Sequence, residues 1–211
     1  MEHGEMVSQG RRKTGRPLSF DRNAALEQAM LTFWRHGYET TSITDLTTAM
    51  GITTPSLYTA FGDKKRLFLE AVKLYAGDPE AMARSIADAP SAYDASRDML
   101  IGAATAFTEK TAPPGCLLAS ATASGSAASA DVQRAVADVR RTIAVMLRAR
   151  IARDIETGKL PGIVDATALA QLVIAVIQGM SVLARDGIDR ARLLSLADTM
   201  LTGWPGGSSP N

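Results

Sequence analysis

The side chains best placed for chemistry in this chain are hydroxyls and one tyrosine, gathered in the segment 40–64. This segment reads TTSITDLTTAMGITTPSLYTAFGDK and carries a short apolar pattern on each side of Gly51. Hydroxyl and phenol groups hydrogen-bond to phosphate oxygens, and threonine methyl groups pack on thymine methyl groups. A helix-turn-helix that presents such groups on its second helix is a DNA-binding arrangement. Similar turns occur in helical proteins that never touch DNA, so the flanking elements have to decide.

Two helices and a third helix start are indicated around these hydroxyls. Ser42 and Asp45 have the spacing of a capping box, and Gly51 is typical of a left-handed residue at a helix end. We expect Thr54 to be the N-cap of the second helix, with a proline at its first position. Asp63 caps a third start, and the cations 64–66 in its first turn oppose the helix dipole unless an anion such as phosphate lies nearby.

A basic run precedes this segment. It consists of Arg11, Arg12, Lys13 and Arg16, in a Gly- and Ser-containing stretch without apolar periodicity. Such a run is either a solvated tail or an arm that contacts phosphates or the minor groove. The formal net charge is only +1, so the distribution of charge, rather than its total, favours a nucleic-acid partner.

The chain does not have the residues of an enzyme. It has one cysteine and two scattered histidines, which excludes an internal disulfide and does not suit zinc, and we expect no metal or cofactor. No Ser/His/Asp set, Cys/His set or phosphate-cradling glycine loop is present. Cys116 follows a Pro-Pro-Gly turn near a helix start, where a helix dipole favours the thiolate. It is either an electrophile or oxidant sensor or a small buried apolar residue.

The pattern of the N-terminal third resembles the DNA-binding half of the tetracycline-repressor (TetR/AcrR) family. The matching positions are Phe33, Gly37-Tyr38, Thr41-Ser42-Ile43, Gly51-Ile52-Thr53, Ser56-Leu57-Tyr58, Phe61, Lys64 and Leu67. The resemblance implies that the groove and its walls are contacted by Thr53, Thr54, Ser56, Tyr58 and Thr59. It also implies phosphate contacts from Ser42, Thr44, Tyr58 and Lys64. Ala60 departs from the family, many of whose members carry His or an aromatic residue there.

The resemblance also implies a function. Family members bind a near-palindromic operator as dimers, typically repress, and release DNA when a small apolar molecule fills a cavity. Candidate residues for that cavity are Tyr93, Met99, Phe107, Leu117, Thr122, Met146, Gln178 and Met180, each of which is otherwise a plain core residue. An activator, or a helical small-molecule carrier whose N-terminal module binds proteins, stays open from the residues alone.

The second half of the chain has helical patterns throughout. The helix expected from Asp165 to about Arg185 is apolar nearly all round, so it must be buried on more than one side. It is either a central core helix or a dimer helix, and the resemblance favours a dimer through the last two helices. The interface residues we expect are Leu172, Val176, Gly179, Leu183, Leu193, Ala197, Met200 and Leu201.

These observations predict an all-α protein. We expect a disordered basic arm over 1–18, a helix-turn-helix domain over 19–64, a ligand-binding and dimerisation bundle over 65–204 and a disordered tail over 205–211. The longest apolar run, 172–177, is too short to span a membrane, and no signal peptide opens the chain. A cytoplasmic regulator without a membrane partner is the simplest interpretation.

Overall fold

The computed structural model describes residues 20–120 and 129–206. Every regular element in these ranges is an α-helix, as predicted. The helices are α1 (Arg22–His36), α2 (Ile43–Met50), α3 (Thr54–Phe61), α4 (Lys64–Ala76), α5 (Pro79–Asp88), α6 (Ala92–Phe107), α7 (Leu117–Ser120), α8 (Ala130–Glu156), α9 (Ala166–Arg185) and α10 (Arg190–Thr202). The predicted arm, most of the predicted tail and Thr122 lie outside the described residues.

The predicted turn between α2 and α3 is present. Ser42 and Asp45 form the reciprocal capping box at the start of α2. Gly51 ends α2 with φ 65° and ψ 31°, and its amide donates to the carbonyls of Thr47 and Thr48. This left-handed conformation reverses the chain within a few residues, so α3 begins at Thr54.

The predicted N-cap of α3 was wrong by one residue. Thr53, not Thr54, caps the helix: its hydroxyl accepts a hydrogen bond from the amide of Ser56. Pro55 therefore occupies the second helical position. Both threonines precede the proline and both can cap, so the sequence alone does not separate them. The shift leaves Thr54 inside the helix with an exposed side chain.

Aromatic side chains hold the N-terminal helices together. The rings of Phe33 and Phe68 meet edge-on, with centroids 5.0 Å apart, and Tyr38 packs at 4.9 Å from Phe68. Leu46 and Leu57 are fully buried beside them. Phe68 lies in α4, so this helix is part of the N-terminal core and also leads into the second half. The predicted boundary after residue 64 falls at its first residue.

The second half is a bundle in which α8 and α9 pack together, with α6 against both, α5 against α8, and α10 against α6 and α9. By length and composition alone, α9 could cross a membrane. The longest uninterrupted apolar run in the sequence does not indicate this, because glutamine, glycine and serine interrupt the apolar residues of the helix. The inner side of α9 is buried against α6, α7, α8 and α10.

The packing of α10 corrects part of the predicted dimer interface. Leu193, Ala197 and Leu201 are buried within the chain, because α10 turns this stripe toward α6 and α9. Met200 is half-buried and lies in the groove between α9 and α10. An apolar stripe on a terminal helix can serve an internal neighbour or a partner subunit, and periodicity does not tell the two apart.

A buried ion pair fixes the bend between α5 and α6. Arg150 and Asp154, both on α8, are 6% and 2% exposed and form an ion pair. The second carboxylate oxygen of Asp154 accepts a hydrogen bond of 2.6 Å from the amide of Ala92 at the start of α6. Arg150 also donates to the carbonyl of Ala89 at 3.1 Å. The pair thus anchors this bend to α8.

Candidate DNA-binding face and effector cavity

The outer face of α3 carries the predicted hydroxyls and tyrosine. Leu57 and Phe61 are buried, as expected, and this orientation exposes Thr54, Tyr58 and Thr59. Tyr58 is 47% exposed, which is unusual for an aromatic ring on a helix whose other large apolar residues are buried. The protein offers this ring no hydrogen-bond or ring partner among the described residues. Such a side chain is suited to contact an external surface.

Some of the predicted contact groups already have partners inside the chain. The hydroxyls of Thr53 and Ser56 lie 2.9 Å apart, and that of Thr59 donates to the carbonyl of Pro55 at 2.8 Å. The Ser42 hydroxyl is held by Asp45 at 2.7 Å. Thr44 is exposed in the first turn of α2. These hydroxyls keep free lone pairs, so they can accept or share a further hydrogen bond.

Lys64 lies at the edge of the same face. Its ammonium donates to the carbonyl of Glu39 at 3.3 Å and lies 4.6 Å from the centroid of the Tyr38 ring. Partial burial lowers the pKa of Lys64, against the raising effect of the nearby carboxylates of Glu39 and Asp45. A phosphate placed here would favour the charged form. The arm residues Arg11, Arg12, Lys13 and Arg16 lie outside the described residues.

A large cavity lies between the end of α4 and helices α5, α6, α8 and α9. Its volume is about 1010 Å³. Most of its wall is apolar, with Met82, Met99, Phe107, Met146 and Ile177 among the lining residues. Methionine side chains are flexible and polarisable, so such a wall adapts to ligands of different shape.

The predicted cavity residues divide into two groups. Met99, Phe107, Met146 and Gln178 line the cavity. Three others do not, and those predictions were wrong: Leu117 and Met180 are fully buried in the core, and Tyr93 packs edge-on against Trp204 with the ring centroids 6.0 Å apart. Helical periodicity places a residue on the inner side of a bundle but does not show which inner residues face a void.

Sequence reasoning missed the aromatic floor of the cavity. Trp34 of α1 and Tyr75 of α4 both line it, and their rings meet edge-on with centroids 4.9 Å apart. Trp34 belongs to the DNA-binding half, so the cavity touches that half directly. Trp34 belongs to the apolar pattern of α1, but its partner Tyr75 lies in α4, and no local sequence signal connects the two residues.

Cys116 lies in the wall of the same cavity and is almost fully buried. Tyr75 on α4 is a neighbour of this thiol. Burial raises the pKa of Tyr75, and the neighbouring Cys116 raises it further. The amide of Cys116 donates to the hydroxyl of Ser181 on α9 at 2.8 Å. The backbone of Cys116 is thus tied to α9, while its side chain lies beside Tyr75 of α4.

Further contacts join the two halves of the chain. Lys65 at the start of α4 pairs with Asp131 at the start of α8. Arg185 at the end of α9 donates to the carbonyl of Trp34 at 3.2 Å. Gly115 lies close to this contact at φ 78°, and a Cβ added there would come within 2.6 Å of the carbonyl oxygen of Ser181. The end of α9 is therefore tied directly to the end of α1.

One face of α9 remains exposed. Leu172 is 50% exposed and Val182 56%, with Ala175 and Gly179 exposed between them. Val176 and Leu183 are half-buried and lie in the α9–α10 groove, whose volume is about 590 Å³. Ser181, a small residue on the same helix, is buried and faces inward. The free surface of α9 is centred on small residues flanked by branched apolar ones, which suits close packing of a second helix.

Comparison with known proteins identifies the family. The family model described as bacterial regulatory proteins, tetR family, matches residues 25–71. A second, described as tetracyclin repressor-like, C-terminal domain, matches residues 96–196. The HTH-type transcriptional repressor ComR of Escherichia coli (strain K12) is 36% identical over 197 residues, 92% of this chain and 94% of that protein. The chain belongs to the TetR family of DNA-binding transcriptional regulators.

Solved structures agree with this assignment. A cysteine mutant of the TetR family transcriptional regulator CifR, complexed with 26-bp double-strand operator DNA, is 38% identical and superposes with a TM-score of 0.84, covering 90% of this chain and 100% of that one. A TetR transcriptional regulator from Chloroflexus aurantiacus J-10-FL is 25% identical with a TM-score of 0.73, covering 86% and 92%. The predicted family and fold are confirmed.

Proposed function

We propose that this protein is a cytoplasmic repressor that binds a near-palindromic operator as a homodimer and releases it when an effector fills the cavity. The observation that carries the proposal is the exposed tyrosine and hydroxyl face of α3, held by a helix-turn-helix. Two similar proteins support it, because ComR is named a repressor and CifR is described in complex with operator DNA.

The DNA contacts follow from the shape of this face. Tyr58, Thr54 and Thr59 enter the major groove, while Thr44 and the first turn of α2 approach the backbone. Hydroxyls provide positioning contacts to phosphates, and threonine methyl groups select thymine. No Arg, Asn or Gln stands on α3. Sequence selectivity therefore rests in part on the shape of the DNA and on the basic arm.

The exposed face of α9 supports dimerisation. Two copies of Leu172, Ala175, Gly179 and Val182 related by a twofold axis bring their helices close together and cover the apolar surface. The same axis places two α3 helices on one side of the duplex. Their half-sites then lie about ten base pairs apart, or a multiple of that spacing.

Selection of bound duplexes from a random DNA library, at near-physiological salt, tests the proposal. We expect enrichment of a near-palindrome, and loss of that enrichment when the Tyr58→Ala protein is selected in parallel. A folded dimer that enriches no sequence would contradict the repressor and would favour a helical small-molecule carrier. Transcription in vitro from a promoter that contains the selected site, with and without the protein, then separates repression from activation.

A second candidate function is thiol-based sensing through Cys116. Its position in the cavity wall, beside Tyr75, would let a covalent adduct displace the linking helix α4. We expect the Cys116→Ser protein to keep operator binding but to lose release by oxidants or electrophiles. Unchanged release by these reagents in the serine variant would remove the sensing hypothesis and leave the reversible effector.

A further inference from the structure

The charged residues in the wall of the cavity differ in how well they are neutralised. Two are acidic and two are basic: Asp78, Asp98, Lys73 and Arg140. Both acids already have cationic partners. Asp78 lies 3.6 Å from Arg84, and Asp98 lies 3.2 Å from Arg97. Each of these arginines is shared with a second carboxylate, Glu80 for Arg84 and Asp94 for Arg97. Asp78 and Asp98 are themselves exposed, so solvent and salt screen the negative charge that remains on them.

Arg140 has no such balance. Its guanidinium is part-buried and, among the described residues, makes one hydrogen bond, from Nη1 to the carbonyl of Leu118, at 2.8 Å. No carboxylate lies within ion-pair distance of it in ranges 20–120 and 129–206. Leu118 also lines the cavity, so the bonded guanidinium is held at the wall rather than extended into water. Lys73 is exposed, where solvent and salt screen its charge.

A guanidinium has five N–H donors, so this contact leaves Arg140 with several. Beside an apolar wall, a cation with unused donors is poorly solvated, and an anion that reaches it gains a charge-assisted hydrogen bond. The remaining wall is dominated by methionine, isoleucine and alanine side chains. A purely apolar effector would leave Arg140 without a counter-ion and remove water from its unused donors.

We propose that the effector is an amphipathic anion: an apolar body that fills the methionine-lined space, with a single carboxylate or sulfonate head bound by Arg140. This inference rests on the proposed effector role of the cavity and replaces the small apolar effector expected from the family resemblance. It assigns Arg140 as the residue that determines the charge class of the ligand, a role that no sequence motif indicates.

Two dyes with the same apolar skeleton test the charge class. 1-Anilinonaphthalene-8-sulfonate carries a sulfonate, and N-phenyl-1-naphthylamine is its neutral counterpart. Titrated into the full-length protein, the sulfonate dye is expected to bind at least about tenfold more tightly than the neutral one. We expect Arg140→Gln to remove this preference by weakening the sulfonate dye alone, while unchanged binding of the neutral dye shows that the cavity is intact.

Arg148→Gln is the matched control, because Arg148 lies on the same helix and is exposed. It should leave both affinities unchanged. Equal binding of the two dyes by the unaltered protein, no binding of either, or an Arg140→Gln protein with full affinity for the sulfonate dye would overturn the proposal. Operator binding measured with and without the sulfonate dye is a separate readout. Arg140-dependent dye binding without DNA release would contradict the effector role while leaving the charge class in place.

Discussion

At the scale of single residues, exposure and burial separate the side chains that act on a partner from those that hold the fold. Tyr58 is a large aromatic ring that α3 turns outward, although Leu57 and Phe61 on the same helix are buried. Arg150 and Asp154 are the opposite case, charged side chains enclosed among the helices of the bundle. Removing the exposed Tyr58 ring should change the free energy of unfolding little, whereas removing one partner of the buried ion pair should lower it strongly.

Tyr58→Ala is expected to weaken operator binding at least about tenfold, because it removes an aromatic contact and a hydroxyl from the groove face. The thermal midpoint should change little, since exposed side chains contribute within about 0.5 kcal/mol. Fluorescence anisotropy with the selected operator and a thermal melt measure the two effects. A parallel loss of stability and DNA affinity would instead show that the ring supports the core.

Asp154→Ala is expected to lower the free energy of unfolding by about 3 kcal/mol, because it leaves Arg150 buried without its counter-ion. Asp138→Ala on the same helix is the control, since the Asp138–Arg141 pair is exposed and should contribute less than about 1 kcal/mol. Urea titration of both variants gives the comparison. Similar losses of unfolding free energy in the two variants would show that the buried pair stabilises the protein no more than an exposed one.

The sequence predicted the exposed hydroxyls of α3 correctly, because Leu57 and Phe61 fix which way the helix faces. It did not predict the roles of Arg140 and Arg150. Arg134, Arg141 and Arg148 recur every seven residues along the exposed side of α8, and the three other arginines of the helix, Arg140, Arg150 and Arg153, fall off that stripe. Arg153 is nevertheless exposed, so the spacing does not predict burial. The partners of Arg140 and Arg150 come from α7 and from the α5–α6 bend, and no local pattern connects them.

At the scale of elements, the turn between α2 and α3 sets the direction of α3, the helix that carries the exposed hydroxyls and Tyr58. Gly51 adopts φ 65°, and no atom outside its local chain lies within 4 Å of an added Cβ. The requirement for glycine is thus purely one of backbone conformation. An L side chain there is strained without any clash, so the cost of substitution can be measured in isolation.

Gly51→Ala is expected to destabilise the protein by about 1–2 kcal/mol through the left-handed backbone. Gly102→Ala is the matched comparison, because an added Cβ there is also free of contacts but the residue lies inside α6 with an ordinary φ. That change should stabilise by about 0.5–1 kcal/mol. Opposite shifts in thermal midpoint support this account, and equal shifts contradict it.

Element starts and ends were the most predictable part of the chain. Asp21, Ser42, Asp63, Asp78, Ser91, Asp165 and Asp189 all cap helices with their side chains. A cap is a local hydrogen bond between residues two or three apart, so the sequence contains the whole interaction. Thr53 and Thr54 show the limit, since adjacent residues of the same type compete for one cap.

At the scale of the whole molecule, the outer face of α9 is an apolar surface that the rest of the chain leaves exposed. The sequence showed that this helix is apolar nearly all round, but it could not tell which side the chain itself covers. The structure shows which side of α9 is covered, and in α10 it buries Leu193, Ala197 and Leu201 in the internal core. Periodicity is a property of one helix, whereas the choice of neighbour depends on the packing of all of them.

Leu172→Asp is expected to shift the protein from dimer to monomer and to weaken operator binding at least about tenfold, because a charge would be buried between two α9 helices. Val145→Asp on α8 is the control, since Val145 is 56% exposed and lies outside this face. Sedimentation velocity and operator titration are the measurements. A dimer that survives Leu172→Asp would place the interface elsewhere.

The hydrogen bond between Ala92 and Asp154 spans 62 residues, whereas the helix-turn-helix core is complete once α4 has been made. During synthesis the N-terminal module formed by α1–α4 can fold while the bundle still lacks the contacts that α8 supplies. At 5–20 residues per second, Asp154 leaves the ribosome roughly 4–16 s after the last residue of α4. A nascent chain therefore holds a folded helix-turn-helix before α9 exists. In the proposed mechanism, the requirement to pair through α9 would keep such unfinished molecules from occupying the operator.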